Sequence, residues 1–214
     1  MANISRINGF KPVGHLTGSS YTGQATLYAV NSSDGTALFP GDAVKFATGA
    51  NSDGINYVTA LAAGTAGTGQ AAVGVVVGVI PAKIDPVTGK MTAGAISSLD
   101  TPVYRAASTA AYILVADSPD VLFEVEATSA GSAGSLAVAD IGKNINVFAG
   151  SGSTTTGTSA HSVDLADKGT AATLPFKIHS VGRRIDNEAG GNSTKVLVYI
   201  NNHQLKGGTG TAGV

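Results

Sequence analysis

Four histidines, His15, His161, His179 and His203, are the side chains of this sequence best suited to metal binding or proton transfer. They lie in unrelated segments, with no HExxH and no HxH among them, so scattered surface or core histidines are the plainer reading. Glu124 and Glu126 stand two apart, which on a strand puts both carboxylates on one face. A glycosidase needs two such groups about its substrate, but it usually draws them from different elements, and a solvated strand face accounts for the pair. His161, Ser162 and Asp164 have the residue types of acyl transfer, yet no nucleophile elbow surrounds the serine. The run Gly150–Gly157 has the composition of a phosphate cradle but lacks the lysine that a P-loop requires. Gly64–Gly69 misses the dinucleotide fingerprint in spacing and in context. These residues assign no catalytic, cofactor-binding or metal-ligating role, and the chain is expected not to be an enzyme.

The elements that would have to position such groups are short. Only 13% of the 214 residues are charged, 29 are glycine, and there is no Cys and no Trp. The absence of Cys removes disulfides and thiolate chemistry together. Hydrophobic residues at 43% allow a real core, but aromatics at 6% mean that Val, Ile, Leu and Ala must build it. A formal charge of -1, with Lys143 isolated and Arg183–Arg184 the one basic pair of note, leaves no electrostatic footprint for nucleic acid. The longest apolar run, 71–81, is well short of a membrane span, and the N-terminus shows no apolar signal region. A soluble protein made in the cytoplasm, with no nucleic-acid or membrane partner, is the expectation.

Alternating and β-branched runs predict strands over 24–30, 55–61, 72–80, 102–105, 111–115, 121–126, 174–178 and 194–200, and within 37–46 a Pro-Gly turn leads into a further short strand. Asn31–Gly35, Asn51–Gly54 and Asp117–Asp120 supply turn residues between them. Residues 134–144 are the best candidate for a helix, of one or two turns. The Gly/Ser/Thr-rich stretch 146–162 reads as an exposed loop. No internal repeat stands out. The predicted fold class is mainly β, a β-sandwich/jelly-roll or β-tulip-like barrel with little helix. Its organisation is an extended N-terminal arm over 1–21, a β-rich domain over 22–206 and a flexible tail over 207–214.

The arm is the feature above background. It is rich in backbone-exposing residues yet carries Ile4, Ile7, Phe10, Val13, Leu16 and Tyr21 as apolar anchors. Such a segment cannot make a core alone. Either it lies along a neighbouring subunit, adding its backbone to an exposed sheet edge, or it folds back on its own domain.

Several segments carry a family likeness. Met1-Ala-Asn3, Asn8-Gly-Phe-Lys-Pro-Val13 and His15-Leu-Thr-Gly-Ser-Ser-Tyr21 resemble the start of a family of tailed-bacteriophage virion proteins. Phe39-Pro-Gly-Asp-Ala-Val-Lys45, Val73-Gly-Val-Val-Val-Gly78, Asp117-Ser-Pro-Asp-Val-Leu-Phe-Glu124, Asp186-Asn-Glu188 and Tyr199-Ile-Asn-Asn-His203 extend the resemblance along most of the chain. The Gly-Asp-x-Val-Lys stretch followed by a Val-Gly-Val strand also looks like β-tulip decoration proteins. The resemblance implies a capsid decoration (cement) protein outside the shell, with the major capsid protein as partner, and a homo-oligomer, trimer or dimer. A major capsid protein is not expected, since no segment supports a long spine helix. A head-fibre or tail component binding host glycan is the alternative, and the scarcity of free aromatics counts against it. A polysaccharide-degrading enzyme built on Glu124 or Glu126 is a third.

Overall fold

Short alternating runs separated by Gly, Pro, Asn and Asp build strands of two to twelve residues rather than long helices. The structure, a computed structural model, describes residues 3–64, 67–85, 88, 90–94, 102–207 and 209–214. Its strands in the first half are β1 (Lys11–His15), β2 (Thr26–Val30), β3 (Ala43–Ala50), β4 (Asn56–Ala60), β5 (Gly74–Ile84), β6 (Met91–Ala93) and β7 (Ala111–Ala116). The second half contributes β8 (Val121–Ser129), β9 (Ser132–Ala133), β10 (Asn144–Ser153), β11 (Thr158–Gly169), β12 (Phe176–Val181) and β13 (Lys195–Ile200). The chain is mainly β, with two mixed sheets packed together in a sandwich-like arrangement.

Each sheet also curls closed. In the first, the order β3-β4-β2-β7-β5 returns to β3 through a β3–β5 pairing, and β6 hangs on β5. In the second, β8-β11-β10-β12-β13 returns to β8, which also pairs β1 and β9. Counted in chain order within each ring, both have the connectivity 1-3-2-4-5, and in both only the first and third strands run parallel. Corresponding contacts share their form. Strand two meets strand four through Ala43↔Val75 and Val44↔Gly74 in one ring, and through Asn144↔Lys177 and Ile145↔Phe176 in the other. The architecture is therefore duplicated although the sequence shows no repeat. A small closed ring constrains apolar alternation and volume, not residue identity, so two unlike sequences satisfy it.

Alternation decides what each face does. Val44, Val76 and Val115 point into the first ring with Val30, Val58 and Ile113. Their neighbours Ala43, Val75 and Ala116 point out of it and join the core of the second ring, with Phe123, Val147, Phe176 and Val198. The core of the second ring thus takes in the outer face of the first and joins the two. The turn Asp117–Asp120 passes the chain directly from the last strand of one to the first strand of the other.

Several expectations are corrected. Residues 102–105 form no strand; only an isolated bridge joins Leu38 to Arg105, whose side chain is spent on loop carbonyls. The stretch 146–162 is not a loop but most of the β10–β11 hairpin, in which Phe148 pairs with Ser162 and Ser153 with Thr158. Thr and Ser tolerate a pleated strand, and Gly157 at φ +69 lets the chain reverse, so polar composition did not preclude pairing. The proposed helix over 134–144 reduces to a single 3-10 turn, Val138–Asp140. Described residues of the 207–214 tail pack back onto the second ring: Asn144 Nδ2 donates to the Thr211 carbonyl at 2.7 Å and Gly213 N–H to that of Thr170 at 3.1 Å.

Candidate functional site

The apolar residues of the N-terminal segment divide into two sets. Phe10 is 1% exposed, stacked on Phe176 at 4.5 Å and edge-on to Phe123 at 6.5 Å, so it belongs to the core of its own chain. Residues 11–15 pair with β8, Lys11 opposite Glu124 and His15 opposite Val121. Gly9 makes this route possible: at φ +70 it lies so close to the turn at Gly41 that a Cβ would come within 2.5 Å of the Gly41 carbonyl. Tyr21 packs half-buried against the core, and Ile7 is also half-buried. Ile4, Val13 and Leu16 remain outside, at 59%, 45% and 40% exposure.

A charged cluster pins the same segment. Glu126, expected on a solvated face, is buried. It accepts from Ser5 Oγ at 2.8 Å, from the Arg6 N–H at 2.6 Å and from Lys195 Nζ at 3.0 Å. Burial alone would raise its pKa, but these donors outweigh it and hold the carboxyl below its ordinary value. Glu124 is ion-paired with Arg184. Lys195 Nζ also donates to the Ile4 carbonyl at 2.8 Å, and Asn3 bridges to Glu188 and Thr194. With both Glu126 carboxylate oxygens accepting from the chain itself, this carboxylate clamps the N-terminal segment around residues 4–6.

The other constellations of the sequence do not assemble. His161 and Ser162 point to opposite faces of β11, and Ser162 Oγ pairs with Thr128 Oγ1 at 2.7 Å. Asp164 accepts from the Ala130 and Ala166 N–H groups. His161 Nδ1 accepts from the Ala43 N–H at 3.2 Å, so its proton sits on Nε2, which faces Asp42 Oδ1 at 3.6 Å. His203 is arranged alike: Nδ1 accepts from the Leu205 N–H at 3.0 Å and Nε2 donates to the Asp117 carbonyl at 2.8 Å. Burial lowers the pKa of both rings, only partly offset by Asp42 and Asp117 respectively. Among the described residues no three His, Cys, Asp or Glu side chains gather as a metal site.

What the fold does bring together is the two ends of the chain. Leu16 N–H donates to the Asp120 carbonyl at 2.8 Å, and His203 holds the other end of the same turn through Asp117. Tyr28 Oη, whose pKa is raised by burial and by Asp117, donates to the Asp117 carboxylate at 2.8 Å. A cleft of about 450 Å³ lies beside it, lined by Leu16, Pro119, Tyr199 and Lys206 among others. His15–Tyr21, Asp117–Glu124 and Tyr199–His203, three segments of the family likeness, thus share one end of the molecule.

Sequence reasoning missed Arg105. Its guanidinium is fully buried and donates to the carbonyls of Asn31, Asp34, Thr36 and Thr109. Three of these four acceptors lie 69–74 residues earlier in the chain, so the sequence around Arg105 carried no local signal for the site. Comparison of the chain with protein-family models, with curated proteins and with solved structures finds no match in any of the three.

Proposed function

We propose that this chain is a structural protein of a tailed-bacteriophage virion, a capsid decoration (cement) protein that binds the outside of the shell and stabilises contacts between capsomers. The observation that carries the reading is the exposure of Ile4, Val13 and Leu16 on a segment fastened at both ends, by the Glu126 clamp and by Phe10 and β1. Apolar side chains on a free tail lose conformational entropy when they bind; on a pinned segment most of that cost is met in folding. Many weak apolar contacts, multiplied over identical lattice sites, suffice for cementing and require no catalytic group. The proposed partner is the major capsid protein, the location the capsid exterior, and the chain acts as a homo-oligomer without nucleic acid or membrane.

Removing residues 1–21 is not the right test, because it would also remove Phe10 and β1 from the fold. The test is the triple substitution Ile4→Ser, Val13→Ser, Leu16→Ser, followed by co-sedimentation with capsids lacking this protein. Loss of capsid occupancy with unchanged thermal unfolding supports the reading, and full occupancy refutes it.

The alternative, a host-glycan-binding head fibre or tail component, has one observation in its favour. A cleft of about 570 Å³ between Pro102–Tyr104 and the Thr154–Gly157 turn offers threonine hydroxyls beside a half-buried tyrosine. Tyr104, however, already stacks on Phe39 at 4.7 Å, which leaves less of its ring for a sugar. A specific glycan-array hit lost in Tyr104→Ala would favour this alternative.

A further inference from the structure

The pinned N-terminal segment borders a cavity of about 150 Å³. That is about five times the volume share of one water, room for a single carboxylate-sized group rather than a whole ligand. Four cationic side chains line it, Arg6, Lys11, Arg184 and Lys195, against two carboxylates, Glu124 and Glu126. Arg184 is paired with Glu124 and Lys195 with Glu126. The side chains of Arg6 and Lys11 have no hydrogen-bond or ion-pair partner among the described residues, although β1 sets Lys11 opposite Glu124. A chain of formal charge -1 thus gathers a local excess of two positive charges at one small cavity.

The frame around this cavity is apolar and held in place. Ile185, 88% exposed, stands in the β12–β13 connection, where Arg184 and Asn187 bridge across a two-residue turn. Asn187 fixes the turn, its Nδ2 donating to the Gly182 and Lys195 carbonyls at 2.7 and 2.8 Å. Ile4 shares a crevice with Arg6, Arg184 and Asp186 beside the cavity, and even with Asp186 counted four cations face three carboxylates. Val13, 45% exposed, follows Lys11 by two residues on β1.

We propose that this surface receives an acidic peptide segment of a partner protein, one carboxylate entering the cavity at Arg6 and Lys11 while its apolar neighbours pack on Ile4 and Ile185. Guanidinium and ammonium groups left without a partner form strong charge-assisted hydrogen bonds to carboxylates, and fixed apolar side chains beside them lose little entropy on contact. Nucleic acid would need cations spread along a track, whereas these converge on a space of one group's size. The proposal rests on the reading of this segment as an interface, and it adds the chemistry of the surface met there.

The probe is acetyl-Leu-Glu-Gly-Glu-Leu-amide, titrated into the isotopically labelled full chain and followed by NMR at the Gly9 and Lys11 amides. Saturable shifts confined to the cavity and the Ile185 turn are expected, with the Gln analogue of the peptide binding at least about tenfold more weakly. The double substitution Arg6→Gln, Lys11→Gln removes side chains that hold nothing in the fold, so it should leave thermal unfolding unchanged and weaken the acidic peptide by a similar factor. Equal binding of the Gln peptide, undiminished binding to the double variant, no saturable shift, or tighter binding of a short single-stranded oligonucleotide would each overturn the proposal. The Gln comparison uses the parent chain alone and decides the matter whatever the variant does. Peptide binding by a parent chain that fails to co-sediment with capsids would support this surface chemistry and refute only the capsid reading.

Discussion

Replacing Phe10 by Ala measures whether the N-terminal segment is part of the fold or an arm held for a neighbour. The ring is 1% exposed and lies on Phe176 and Phe123, with centroids at 4.5 and 6.5 Å. Truncating a phenylalanine in such a site costs about 3–5 kcal/mol, from lost transfer energy and the cavity left behind. For a chain of this size each kcal/mol shifts the unfolding midpoint by about 2–4 °C, so Phe10→Ala should lower Tm by about 6–20 °C. Ile4→Ala, 59% exposed in the same segment, is the control and should stay within about 0.5 kcal/mol of the parent. Thermal unfolding followed by circular dichroism reads both variants at one protein concentration. If Phe10→Ala unfolds within a degree or two of Ile4→Ala, the segment does not contribute to the core. The arm laid across a neighbouring subunit would then be the correct description.

Three further outcomes follow from buried polar groups. Arg105→Met should lose about 3 kcal/mol or more in urea unfolding, because it strands several loop carbonyls that the guanidinium satisfies. Glu126, its pKa depressed in the folded chain, contributes stability that is present above its unfolded pKa of about 4.5 and is lost as pH falls through the folded value. Glu126→Gln should therefore show a smaller drop in urea midpoint between neutral and acid pH than the parent. His161, also depressed, should remain neutral with its proton on Nε2 as pH falls through 6.5, the ordinary histidine value, and the stability it contributes should decline below that pH. Nitrogen shifts of the imidazole check this directly, and a ring that titrates at 6.5 would contradict the assignment.

Strands with strong patterning were legible from residues alone. Val121-Leu-Phe-Glu-Val-Glu126 alternates as a half-buried strand should, and Val75-Val-Val77 could only be a strand or a core helix too short to stand. β1 was not legible, since Lys11-Pro-Val-Gly-His15 reads as turn chemistry until Glu124 and Phe123 are placed opposite it. The β10–β11 hairpin hid behind its Gly, Ser and Thr content because its partner faces are set by tertiary pairing rather than by hydrophobic period. The duplicated ring was invisible for a related reason: it repeats connectivity without repeating residues. At the candidate surface, residue type identified Ile4, Val13 and Leu16 as anchors but could not separate them from Phe10, whose fate depends on Phe176, far away in sequence. Asp42 and His161 likewise meet only when the two rings pack.

The central claim is tested most directly by the copy number of this chain in purified virions, measured by quantitative mass spectrometry against the major capsid protein. A cement protein spread over the lattice should be present at a copy number comparable to that of the capsid protein. A handful of copies per virion would contradict that role and place the chain at a vertex, neck or tail.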